Sequence, residues 1–75
     1  MSMHERVRVL MADVLEVPIE SLSADVDRES LPEWDSLAHL RLMTALEEEF
    51  GVRPTMSDIG NVYSFDDVVM LAQRR

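Results

Sequence analysis

At 75 residues and 8.6 kDa the chain has room for one small domain, and a domain of that size buries only about 60 % of its unfolded surface. A mostly apolar ligand pocket of about 300–1,000 Å³ would use up much of such a core, which argues against a self-sufficient enzyme and for a binding or carrying module. The formal net charge of −8, from 15 acids against 7 arginines and no lysine, repels nucleic-acid phosphates and anionic lipid surfaces and steers the domain toward basic patches on proteins.

Hydrophobic residues at 47 % against 29 % charged give a globular rather than a disordered balance. The absence of cysteine removes any disulfide framework, thiolate metal site or thiol nucleophile. With no signal peptide and no long apolar run, the expectation is a soluble, cytoplasmic monomer that binds neither membrane nor nucleic acid.

In chain order, "SMHERVRVLMADVLEV" opens with Ser2 and Glu5 at capping-box spacing. Met3, Val7, Leu10, Met11 and Val14 follow at intervals of three and four, which predicts an amphipathic helix ended by Pro18. "PIESLSADVDRESLPEWD" has no such period and reads as a long acidic, solvated loop pinned by Ile19, Leu22, Val26, Leu31 and Trp34. "SLAHLRLMTALEEEF" is the strongest helix, rich in good helix formers and stopped by Gly51. His39, Leu42, Met43, Leu46 and Phe50 share its core face, with His39 expected at the core rim, while Leu37, Arg41, Thr44 and Glu48 form an exposed face.

A one-turn helix is predicted at "TMSDIGN", with Thr55 and Asp58 at cap spacing and Gly60–Asn61 limiting it. The last helix, "SFDDVVMLAQRR", starts from Ser64 and Asp67 and turns Phe65, Val68, Val69 and Ala72 inward. Asp66 and Asp67 at its start and Arg74 and Arg75 at its end complement its dipole. Met11, Met43 and Met70 are candidates for an adaptable interior. The expected fold is all-α: a small four-helix bundle with three main helices, one short helix and a long loop between helices one and two.

Candidate sites are few. "DVDRESLPEWDS" begins like an EF-hand calcium loop, with Asp25, Asp27 and Glu29 alternating, but Ser30 and Ser36 stand where the glycine and the bidentate glutamate are needed. His4 and His39 lack metal-pair spacing, so no metal site is expected. Ser36 and His39 lie one helical turn apart, yet no third orienting group completes a nucleophile triad, and no catalytic residue is assigned. Asp35 is a favoured N-cap residue, which makes Ser36 the first helical position. The unpaired N–H groups of a helix start would favour a phosphate on Ser36 by about 0.3–1 kcal/mol.

At "DSL…LEEEFGV", joined to this helix order over the whole chain, the sequence resembles the acyl carrier protein family. The resemblance implies one carrier domain over residues 1–75, not an enzyme, with 4′-phosphopantetheine covalently attached at Ser36. Asp35 and Leu37 match the flanking motif positions, and Leu37, Arg41, Glu47, Glu48 and Glu49 fall on the partner-facing helix. The arm comes from coenzyme A through a magnesium-dependent phosphopantetheinyl transferase. Further partners are an acyl- or aminoacyl-loading enzyme and a downstream acyltransferase or condensing enzyme.

Ala38 and Arg41 replace the acids usual in fatty-acid-synthesis carriers, and Trp34 precedes the motif. The chain is therefore more similar to free-standing carriers of specialised biosynthetic pathways than to the general fatty-acid carrier. An aminoacyl or peptidyl carrier is the nearer alternative, although "PEWDSL" lacks the glycines typical of that branch. An unmodified acidic interaction module using Leu37, Arg41 and Glu48 is the alternative of another class.

Overall fold

Short-range hydrogen bonds encoded in the sequence set the helix starts. The computed structural model describes residues 1–74; Arg75, read above as complementing the last helix, lies outside the described residues. Helix α1, Met3–Leu15, starts where the Glu5 N–H donates to Ser2 Oγ at 3.2 Å, the serine half of the expected capping box. It ends on Glu16 in the left-handed region (φ 56°), a conformation that costs an L-residue about 1–2 kcal/mol. Helix α2, Ser36–Phe50, is capped by Asp35 and closed by Gly51 at φ 71°, where glycine carries no Cβ penalty.

Helix α3, Met56–Asn61, and helix α4, Phe65–Gln73, both start with complete capping boxes, Thr55 with Asp58 and Ser64 with Asp67. Arg74 stands at the end of α4, just past its last turn. It is the C-cap residue, and its guanidinium reaches back to Asp58 of α3 at 2.7 Å. The architecture is all-α: three main helices and the short α3, with α1 packed against α2 and α4. Among the described residues no helix is long and apolar enough to cross a membrane.

The predicted inner faces of α2 and α4 meet. Leu42, Leu46, Phe65 and Val68 are fully buried with Val7 and Met11 of α1. Two readings change. Met70 is 67 % exposed, because α4 turns Leu71 rather than Met70 inward, and Ile19 is 41 % exposed within a 3₁₀ turn over Ile19–Ser21. Leu22, Val26, Leu31 and Trp34 are buried and do pin the loop.

That loop is fastened rather than simply solvated. The Arg28 N–H donates to the Tyr63 carbonyl at 2.9 Å and the Phe65 N–H to the Val26 carbonyl at 3.0 Å. These bonds flank an isolated antiparallel bridge between Asp27 and Ser64. Asp27 also accepts the Ser30 N–H at 2.8 Å, and Arg8 Nε of α1 donates to the Leu22 carbonyl at 2.8 Å. The loop thereby presents the start of α2 against the α3–α4 junction.

Candidate functional site

The site is built on a helix start. Asp35 has extended backbone (ψ −175°) and its Oδ1 accepts the Ala38 N–H at 2.9 Å, satisfying one of the donors that a helix start leaves unpaired. Ser36 follows as the first residue of α2, exposed, and among the described residues its hydroxyl has no hydrogen-bond partner. A shallow depression of about 430 Å³ opens beside it, lined by Arg28, Glu29, Trp34, Asp35, Ser36 and Tyr63.

The histidine one turn from Ser36 is engaged elsewhere. His39, one turn along α2, accepts the Trp34 indole N–H on Nδ1 at 3.0 Å and holds Nε2 2.8 Å from the Ile59 carbonyl. It is 3 % exposed, so the core-rim expectation is corrected: His39 is a core residue with both ring nitrogens engaged. Desolvation lowers its pKa below 6.5, opposed by the Ile59 carbonyl and aided by the Arg28 charge. Neither His39 ring nitrogen is available to the Ser36 hydroxyl.

Exposed apolar surface surrounds the serine. Leu37 is 60 % exposed, as read from the sequence, and Leu40 beside it is 55 % exposed. Arg41, Thr44, Glu47, Glu48 and Glu49 are all exposed along the same helix. The expected partner residues Leu37, Arg41, Glu47 and Glu48 thus share one solvent-facing sector of α2, which mixes leucines, a cation and a run of carboxylates. Leu40 is not marked by the sequence, where it stands between His39 of the core face and Arg41 of the exposed face.

The depression also holds residues that no motif marked. Tyr63 donates its phenolic O–H to Glu29 at 2.7 Å, and this bond to a carboxylate is the main cause that pushes its pKa up to about 12. Arg28, Glu29 and Tyr63 reach Ser36 only through the long-range loop bridge, for which local sequence carries no signal.

These features fit a phosphopantetheine arm: an exposed hydroxyl, a helix start that tolerates an anion, and open space beside it. The family described as phosphopantetheine attachment site matches residues 5–74. Polyketide-8 synthase acyl carrier protein 2 of Streptomyces avermitilis is 33 % identical over 60 residues, covering 80 % of this chain and 69 % of that protein. With the match running from α1 through α4, the chain belongs to the phosphopantetheine attachment family and is a carrier protein, not an enzyme.

Proposed function

We propose that residues 1–75 form one acyl carrier domain in which Ser36 Oγ bears the 4′-phosphopantetheine as a phosphodiester. The observation that carries this reading is the exposed, unpartnered Ser36 hydroxyl at the Asp35-capped start of α2. When bound, the arm supplies the thiol that this cysteine-free chain lacks, and acyl groups travel on it as thioesters. The chain's own residues present the hydroxyl, stabilise the adjacent negative charge through the helix start, and leave deprotonation to the transferase.

The partners in this reading are the transferase, an acyl-loading enzyme and a downstream acyltransferase or condensing enzyme, met by Leu37, Leu40, Arg41, Glu47 and Glu48. A specialised pathway is supported by Ala38 and Arg41 in place of acids, and by the polyketide synthase carrier among its relatives. Polyketide assembly is accordingly preferred to general fatty-acid synthesis or to aminoacyl transport.

The test is incubation with coenzyme A, magnesium and a broad-specificity phosphopantetheinyl transferase, followed by intact mass. One phosphopantetheine mass is gained by the native chain and none by Ser36→Ala. No gain, or the same gain in Ser36→Ala, overturns the assignment.

A further inference from the structure

His39 joins two elements that are otherwise separate. An indole offers only a donor, so His39 Nδ1, which accepts from Trp34, is unprotonated and the ring hydrogen sits on Nε2, donated to Ile59. The Ile59 carbonyl belongs to the last turn of α3, just past the Asp58 carbonyl that accepts the final helical N–H, that of Val62. The N–H that would reach it in a longer helix, that of Tyr63, is drawn instead to Asp67 Oδ2 at 3.0 Å. One imidazole of α2 therefore caps the end of α3 on one side and holds Trp34 on the other. Trp34 is 2 % exposed, and only Asp35 separates it from Ser36.

We propose that His39 is a positioning residue that clamps the loop leading into Ser36 to α3, and that uptake of a proton on Nδ1 opens the clamp on the Trp34 side. Its bearing on attachment rests on Ser36 as the modified residue; the clamp itself does not. The Trp34 bond needs the neutral ring, since a proton on Nδ1 would point at the indole N–H, whereas the Nε2–H bond to the Ile59 carbonyl is kept in either state. Burial and the Arg28 guanidinium of the loop disfavour the charged ring, and the Ile59 carbonyl favours it. Carboxylates of the surrounding elements are engaged elsewhere: Asp35 at the start of α2 by the Ala38 N–H, Asp58 of α3 by Thr55 and Arg74, Asp67 at the start of α4 by the N–H groups of Tyr63 and Ser64, and Glu29 of the loop by Tyr63. A charged ring would find no ready counter-ion among them.

The experiment is a pH titration of the ¹⁵N-labelled apo chain by NMR, on the native sequence, His39→Gln and Trp34→Phe. At alkaline pH the native His39 is the Nε2–H tautomer. It titrates below 6.5, and the Trp34 indole N–H and the Ile59–Val62 amides shift along the same curve. Glutamine offers an acceptor and a donor without a titrating proton, so in His39→Gln these coupled shifts vanish. Trp34→Phe removes the donor that favours the bare Nδ1 and moves the His39 titration upward. An Nδ1–H tautomer, coupled shifts that persist in His39→Gln, or a His39 titration unmoved by Trp34→Phe each overturns the clamp.

Transferase rates add a readout of position. The ratio of native to His39→Gln rates stays near one at alkaline pH and falls several-fold as His39 takes its proton; a ratio flat across that range overturns the positioning role. The ratio cancels the transferase's own pH dependence. A chain unmodified at every pH refutes Ser36 attachment, while the NMR titration still decides the clamp.

Discussion

Tyr63 donates its phenolic hydrogen to Glu29, 34 residues away in sequence, at 2.7 Å, and the pair forms one wall of the depression beside Ser36. Because the bond holds the tyrosine protonated up to about 12, its stabilisation is present in full below the ordinary value of 10.0 and is lost as pH rises through the folded value. Glu29→Gln removes the carboxylate and should return the titration of this sole tyrosine toward 10.0, read by the absorbance of the phenolate. An unchanged midpoint would show that Glu29 does not set it.

The Asp35 cap gives a second expectation. Asp35→Ala leaves the Ala38 N–H without its acceptor and should cost about 1 kcal/mol, lowering Tm by roughly 4–8 °C for a domain of this size. Asp35→Asn keeps a cap acceptor and should recover most of that loss. Thermal unfolding by circular dichroism of the three chains checks both, and equal losses for Ala and Asn would refute the capping role.

Acid should loosen the α3–α4 end. Asp58 is held below its ordinary 3.8 by the Thr55 N–H and Arg74; for Asp67, burial raises the value, but the Tyr63 and Ser64 donors win and leave it lowered. Both carboxylates bind protons less readily folded than unfolded, so their stabilisation is present above 3.8 and disappears as pH falls through their folded values. Urea unfolding at steps from neutral pH down to about pH 3 should show Asp67→Asn less stable than the native chain at neutral pH and the gap narrowing in acid. A gap independent of pH would contradict this.

Arg41 is the selectivity expectation. It sits exposed on α2 one turn from Leu37, where like charge disfavours partners whose docking surfaces are basic. Arg41→Glu should improve turnover of the loaded carrier by general fatty-acid synthesis enzymes. Unchanged kcat/KM would remove position 41 from partner choice.

What the sequence disclosed follows the range of the interactions. The caps at Asp35, Thr55 and Ser64 each join residues three apart, and the Leu42/Leu46 face repeats at helical spacing, so both are written locally. The exposed Ser36 and Leu37 follow from the same local reading. Arg28 and Tyr63 were not legible as neighbours of Ser36, because the loop bridge that unites them is a backbone pairing with no side-chain signature. Helical periodicity alone puts His39 at the rim, although "WDSLAH" does carry a hint: the Trp34 indole and the His39 ring bracket one helix start and meet across it. Met70 turns outward although the sequence allows it inside, because a run of five apolar residues, Val68 to Ala72, does not say which member points outward.

The bridge between Asp27 and Ser64 gives the motif a topological setting. It ties the molecule into a ring that contains the whole of α2 and α3, and closing such a long ring costs entropy that only later packing recovers. Ser36 lies inside that ring. Its surroundings therefore exist only once the start of α4 has docked on the loop, and a fragment ending before Tyr63 would keep the Asp-Ser-Leu triplet yet lose a wall of the depression beside it. An enzyme that recognises those walls reads tertiary assembly, and an unfinished chain still emerging during synthesis does not present them.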